Sequence, residues 1–264
     1  MDNPVVSVVI PVYRALDYIE QTIQSVIRQD VVSEIIIVED KSDQLSKPVV
    51  LQYKEKANII YVENPKRFGV AANRNIGMDL ARGKYIAFLD ADDWWSDDKL
   101  KKQIELIESK DTALVYTGRE LMNHSGEATG RIVKVPLLVD YKKLLKGNVI
   151  PASSVLLRSP VAKEFPQHHD ELHEDYIMWL EVLKKYGFAY GINEPMLKSR
   201  LSEGGKSRNK RKSAQMTWRV YKLMDIGLLK RCYIFVCYSL KGIFKHILIS
   251  ELIFKCRAKV VNRK

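Results

Sequence analysis

The sequence predicts an α/β fold built on a mostly parallel central sheet, and three observations carry the prediction. Strand-like and helix-like segments alternate as β-α-β-α-β-α-β from Val5 to Leu89. Two of the strand segments, 5–10 and 35–38, are near-continuous β-branched runs, the composition of strands buried on both faces. Two strands, ending at Val38 and Leu89, run straight into carboxylates, and a parallel sheet brings such ends to one edge, where ligands bind.

Val5 to Ile10 is the first strand, broken by Pro11, Val12 and Tyr13. Asp17 stands where it would cap a helix to about Arg28, with Ile19, Ile23, Val26 and Ile27 on one face. The second strand, 35–38, leads into Glu39, Asp40, Lys41 and Ser42. A helix over roughly 46–56 precedes a third strand at 58–62. Asn64, Pro65 and Gly69 mark a loop, Val70 to Ala81 is helical, and Arg82 and Gly83 close that helix.

The fourth strand, from Tyr85, ends in Asp90, Asp92 and Asp93, followed by Trp94 and Trp95. In extended chain Asp90 and Asp92 point the same way. Hard oxygen ligands at that spacing suit Mg²⁺ or Mn²⁺, metals that also hold a diphosphate. A strand end followed by an acidic helix cap at Ser96 and Asp97 explains the same residues structurally.

A helix to about Ser109 follows, then a strand at 113–116 and a polar hairpin-like region through Gly126 and Gly130. Residues 150–157 read as another strand, and 168–173 as a polar loop. Glu174 and Asp175 open an amphipathic helix whose apolar side carries Ile177, Met178, Leu180 and Leu183, with Gly187 as its stop. Residues 202–213, rich in Gly, Ser, Lys and Arg, are the expected boundary. The expected division is a catalytic body over 1–205, with halves 1–110 and 111–205, and a basic flap and amphipathic helical tail over 206–264.

The formal charge of +11 is unevenly placed. From Lys198 onward 18 Lys and Arg face three acids, a local +15 that leaves −4 for the first 197 residues. The basicity belongs to the tail, which argues against a nucleic-acid binder and for an anionic partner of the tail. Three cysteines, Cys232, Cys237 and Cys256, are odd in number and lack metal-site spacing, which implies a reducing compartment. Met1 to Pro4 shows no signal-peptide pattern, and no window reaches 18 uninterrupted apolar residues. His168, His169 and His173 lack the Cys or Glu partners of a zinc motif.

Five segments occur in a telling order: Pro11 to Tyr13; Val38 to Ser42 with its Glu-Asp-Lys-Ser; Asn73 to Gly77; Gly83 to Asp93; and His173 to Asp175. With them the chain resembles the family 2 glycosyltransferases of the GT-A fold, a Rossmann-like nucleotide-sugar-binding domain, over about residues 4–200. The resemblance implies an inverting enzyme acting on a nucleotide sugar. It gives Pro11, Tyr13 and Asp40 to the nucleotide, Arg74 to the donor segment, and Asp90 and Asp92 to a Mn²⁺ or Mg²⁺ ion, with Asp92 the direct ligand. Asp175 becomes the base that deprotonates the acceptor hydroxyl, and Glu174, Ser153 and Ser154 fall to the acceptor side. Arg200 and Ser207 fall in a basic flap over the diphosphate. Lys41 stands where the family usually has glycine.

The residues themselves leave alternatives open. Tyr13 also reads as a strand-end packing residue, Arg74 as a solvated helix-face residue, and Glu174 with Asp175 as an acidic helix start. No Gly-rich phosphate loop follows the first strand, which removes a P-loop enzyme and disfavours a nucleotidyltransferase. Gln215, Met216, Thr217, Trp218 and Arg219 invert the end of the processive synthases' Gln-x-x-Arg-Trp, favouring single addition.

The expected reaction moves one hexose or N-acetylhexosamine from a UDP-sugar to a glycan, by resemblance a lipid-linked oligosaccharide of O-antigen or capsule type. Lys230, Lys241, Lys245, Lys255 and Lys259 fall within roughly ±40° of one direction at about 100° per residue. That stripe beside a broad apolar face is the pattern of a helix lying on an anionic membrane surface. A cytoplasmic enzyme, peripheral on the inner face of the plasma membrane, is the expected setting. An amphipathic helix packed on the catalytic body explains the same pattern.

Overall fold

β1 (Val6–Val12) is the axis of the sheet: every residue in it is buried, and it pairs in parallel with β2 (Ser33–Glu39) on one side and β4 (Tyr85–Phe88) on the other. Val6, Val8, Ile10 and Val12 face one hydrophobic cluster and Val9 faces the other, as the twofold periodicity of a strand requires. β3 (Asn58–Glu63) extends the parallel run beyond β2. The structure is a computed structural model and describes residues 4–31, 33–201 and 210–239.

Three helices cover this parallel half. α1 (Ile19–Ile27) and α2 (Lys47–Leu51) pack on one face, and α3 (Val70–Leu80) packs on the other against β1. A Cβ on Gly77 would stand 2.3 Å from Val9 Cγ1, so only glycine lets α3 approach the strand this closely. α1 begins later than the sequence suggested: Tyr18, not Asp17, occupies the cap position, and no side chain caps it. α2 is also shorter than the expected 46–56.

The second half adds β5 (Trp94–Trp95), α4 (Lys99–Ser109), β6 (Leu114–Met122), β7 (Ala128–Val133) and β8 (Leu138–Asp140). It continues with α5 (Tyr141–Leu145), β9 (Leu156–Arg158), α6 (Ser159–Glu164), α7 (Glu174–Tyr186), β10 (Phe188–Arg200) and α8 (Lys210–Leu223). The strand order is β3-β2-β1-β4-β9-β6-β10-β5, with β7 on β6 and β8 on β10. β4–β9 and β9–β6 are antiparallel, and β6–β10 is parallel, so the fold is an α/β one with helices on both faces of a mixed sheet.

Residues 150–157 are not one strand. Pro151 opens a 3₁₀ turn at Ala152–Ser154, and only Leu156–Arg158 pairs with the sheet. The expected loop over 202–213 is overtaken by α8 from Lys210, and residues 202–209, with Ser207, lie outside the described residues. Residues 228–239 are helical, whereas Lys241, Lys245, Lys255 and Lys259 lie outside the described residues.

Candidate active site

Because β1, β2 and β4 are parallel, their carboxyl ends meet at one edge, and a cleft of about 790 Å³ opens there. Pro11, Tyr13, Asp40, Arg67, Arg74, Asp90, Asp92 and Glu174 all line it. The fold therefore gathers residues from all five motifs into one space.

The chain is not extended at the end of β4. Asp93 N–H bonds back to Asp90 C=O at 3.0 Å, so Asp90 to Asp93 form a turn. The turn, rather than strand alternation, sets the two acids side by side. Asp92 is half-buried, and its carboxyl is pushed up to about 6, first by burial and then by the charge of Asp90. Asp93 faces inward. Its carboxylate accepts the backbone N–H of Arg200 at 2.9 Å, and burial, then Asp92 and Asp90, raise its proton affinity well above the ordinary carboxylate range.

Arg74 is an internal residue, with its side chain 3% exposed. Nη2 donates to Asp90 Oδ1 at 2.7 Å, and Nη1 donates to Glu174 Oε1 at 3.2 Å and Gln167 Oε1 at 3.1 Å. Burial disfavours its charge, but Asp90, Glu174 and Asp175 outweigh that and raise its pKa further. The solvated helix-face reading fails, and Arg74 instead fixes Asp90 and Glu174 relative to each other. Glu174, placed on the acceptor side from sequence, is 7% exposed and serves as that partner.

Asp175 opens α7 with Oδ1 accepting its neighbour Tyr176 N–H at 2.7 Å. Burial first, then Glu174 and Asp90, push its carboxyl up to about 7 against the opposing pull of Arg74. A carboxylate poised near neutrality is matched to general-base work.

Ser153 and Ser154 do not line the cleft. Both are fully buried in the 3₁₀ turn. Ser153 Oγ accepts Asp90 N–H at 3.0 Å and bonds the Asp93 carboxylate, while Ser154 Oγ donates to Pro151 C=O at 2.7 Å. The Ser153 hydroxyl holds the acid turn from behind, while that of Ser154 closes its own 3₁₀ turn. Arg200 is likewise no flap residue. It ends β10, and its guanidinium donates to the carbonyls of Asp92 (3.2 Å) and His124 (2.7 Å) and to Gln21 (2.8 Å), between the rings of Tyr18 and Trp94.

At the nucleotide end, Tyr13 is 37% exposed with the Arg67 guanidinium 4.2 Å from its ring centre. Asp40 is buried, and it accepts from Asn64 Nδ2, Phe68 N–H and Gly69 N–H at 2.9–3.0 Å. It thus shapes the 64–69 loop, leaving one further lone pair on Oδ2. Gly69 has φ +97°, and a Cβ there would strike Asp170 Oδ2, whose carboxylate accepts the first-turn N–H of Ala71. Lys41 does not distort its turn: it pairs outward with Glu63 at 3.0 Å.

Sequence reading missed Gln167, Asp93 and Asp170 as organising residues. Asp93 was visible in the acid run, but nothing local marks Gln167 or Asp170, whose partners lie more than 90 positions away.

Among the described residues no three or more His, Cys, Asp or Glu side chains form a ready metal cluster. Asp90 and Asp92 still suit a divalent cation. They are hard-oxygen donors on one turn, both lining the cleft, and an ion completed by phosphate and water needs only one or two protein carboxylates.

An open α/β sheet with a cleft at its carboxyl edge, lined by an acid turn and a buried arginine–carboxylate pair, fits a transferase of the GT-A type. The chain belongs to the glycosyl transferase family 2, whose model matches residues 7–163. It is 34% identical to the Bacillus subtilis glycosyltransferase TuaG, named for teichuronic acid biosynthesis, over 93% of this chain and 98% of that one. It is 32% identical to the Escherichia coli UDP-Glc:α-D-GlcNAc-diphosphoundecaprenol β-1,3-glucosyltransferase WfgD, over 93% and 96%. The fold is similar to that of S. aureus TarS 1–349, solved in complex with UDP-GlcNAc, with a TM-score of 0.70, 16% identity, and 88% of this chain and 70% of that one covered. It is also similar to the Pyrobaculum calidifontis mannosyltransferase PcManGT, solved with GDP-Man and Mn²⁺, with a TM-score of 0.68, 18% identity, and 90% and 69% covered.

Proposed function

We propose that this glycosyltransferase moves one hexose or N-acetylhexosamine from a UDP-sugar to a sugar diphosphate carried on a lipid, by a metal-dependent inverting displacement. The observation that carries the reading is the Arg74–Glu174 ion pair lining the cleft that contains the acid turn, with Asp175 next in sequence to Glu174 and its carboxyl pushed up to about 7. The lipid diphosphate acceptor is supported by the names of WfgD and its E. coli relative WfaP. The UDP-sugar is supported by those names and by the ligand of TarS, and the metal by the Mn²⁺ of PcManGT.

Tyr13 offers an exposed ring for stacking the base, and Asp40, which lines the same cleft, keeps a lone pair free to accept a base N–H. Asp90 and Asp92 would hold the cation, which when bound stabilises the negative charge of the departing diphosphate. Arg74 keeps Asp90 aimed by engaging one of its oxygens. Asp175 takes the proton of the acceptor hydroxyl as that oxygen bonds to the anomeric carbon and the nucleotide leaves from the opposite face. Ser153 and Arg200 keep the acid turn in place by binding its backbone.

A panel of UDP- and GDP-sugars scored for nucleotide release, with and without a lipid diphosphate sugar and with Mn²⁺, Mg²⁺ or chelator, tests this. Acceptor-stimulated, metal-dependent UDP release is expected. Metal-independent release, or preference for a GDP-sugar, contradicts it.

The tail reading is proposed with it: a peripheral enzyme on an anionic membrane face. In the helix 228–239, Ile234 packs into the core, while Leu229, Tyr233 and Val236 stand 88%, 64% and 56% exposed at helical spacing. An apolar strip kept out of the core, next to the strongly basic end of the chain, suits an interface. No helix among the described residues is long and apolar enough to cross a membrane.

A further inference from the structure

We propose that Arg67 is a movable clamp for the nucleobase of the donor. The base inserts between Tyr13 and Arg67, and the guanidinium passes from the tyrosine ring to the outer face of the base. The proposal rests on the donor reading above and adds a residue to it.

Arg67 lines the cleft, as Tyr13 and Asp40 do. Its guanidinium carbon stands 4.2 Å from the centre of the Tyr13 ring, in contact with it, which leaves no room for a base between them. A base that stacks on this face of Tyr13 therefore displaces Arg67. The other arginines of the cleft are tied down. Arg14 approaches the same ring at 5.5 Å, but Asp43 holds it by an ion pair at 3.1 Å. Arg74 is locked between Asp90 and Glu174. Arg67 is exposed and, among the described residues, pairs with no carboxylate, so its side chain is free to swing.

Its backbone, in contrast, is held where a clamp needs it. Asp40 accepts the N–H groups of Phe68 and Gly69, the two residues after Arg67, at 3.0 and 2.9 Å. The same carboxylate offers its remaining lone pair to the base N–H, so the edge of the base lies against the loop that carries Arg67. From that root the guanidinium reaches the face of the base by side-chain rotation, with the loop unchanged. A planar guanidinium stacks on a base as it does on an aromatic ring. The exchange gives up a cation–π contact on an exposed ring, where it is weak, for one on a base enclosed from both sides, where it is stronger.

The test measures Kd for UDP and for uridine by calorimetry, uridine by displacement, in wild type, Arg67→Ala, Arg67→Lys and Arg67→Trp, with thermal melting as a check on folding. In Arg67→Ala both ligands should bind about 3- to 30-fold more weakly, the range of one cation–π contact from exposed to enclosed. Arg67→Trp, which stacks without a charge, should recover most of the loss. Arg67→Lys, charged but not planar, should recover little. Unchanged or tighter UDP binding in a folded Arg67→Ala overturns the proposal and leaves the donor reading intact. A loss confined to UDP also overturns it, by placing the guanidinium on the diphosphate, as does rescue by lysine and not by tryptophan. A wild type that binds neither UDP nor uridine contradicts the donor reading, and the proposal falls with it.

Discussion

Arg74 Nη2 donates to Asp90 Oδ1 at 2.7 Å, tying α3 to the first residue of the acid turn. The same guanidinium binds Glu174, the residue before the proposed base, so one buried cation links α3, the acid turn and α7. In the proposed reaction, donor-side and acceptor-side chemistry share that single electrostatic link.

Arg74→Met should be costly for the whole fold. Removing one partner of a buried ion pair strands the other charge, at about 3–5 kcal/mol. Urea denaturation of wild type and variant measures it, and a loss below about 1 kcal/mol, the range of an exposed pair, would show the link to be solvated.

Activity should fall on the acid side of neutrality. Asp175 must be ionised to accept a proton, and its carboxyl sits at about 7, so kcat drops as pH falls through that value. Glu174 raises that value by its charge, so Glu174→Gln should move the acid limb to lower pH. A limb that stays in place or moves up contradicts this electrostatic assignment.

Lys99 gives a separate pH signature, in stability. It is fully buried, with Nζ 3.8 Å from the Trp95 ring centre and bonded to Gln103, and burial lowers its pKa well below the ordinary value. Between that depressed value and about 10.4 the unfolded chain binds the extra proton, so stability should rise with pH by up to about 1.4 kcal/mol per unit. Lys99→Met should remove that rise, as denaturation curves at several pH values would show. An identical slope in both proteins would mean Lys99 stays charged in the fold.

For the tail, Leu229→Glu with Tyr233→Glu is a sharper test than deletion, because Ile234 beside them belongs to the core. Binding to anionic liposomes should be salt-sensitive in the wild type, since each lysine near the surface contributes about 1 kcal/mol. The double variant should lose it. Equal binding by both, or by neither, ends the docking idea.

The parallel half was legible because its strands are written in β-branched runs and its helices in clear periodicity, from Val6 to Leu89. The acids were legible too, since Asp90, Asp92 and Asp175 stand in ordered motifs. What escaped was the difference between touching a ligand and holding the residue that does. Ser153, Ser154 and Arg200 look in sequence like cleft residues, yet Ser153 and Arg200 bind the acid turn's backbone and Ser154 bonds the Pro151 carbonyl inside the 3₁₀ turn. Gln167 and Asp170 carry no local mark, because their roles arise only when the loop before α7 folds over α3. A strand was expected at 150–157 for its apolar run, but Pro151 and the hydrogen bond of Ser154 to its carbonyl favour the tighter turn.

The most direct measurement sets turnover against donor binding in Asp175→Asn. Turnover with a UDP-sugar and a lipid diphosphate sugar should fall about 10²- to 10⁴-fold, the worth of general-base assistance. The Kd for the UDP-sugar, measured by calorimetry with Mn²⁺ present, should stay close to wild type. Near-native turnover, or a loss of donor affinity in parallel with rate, would contradict Asp175 as the base.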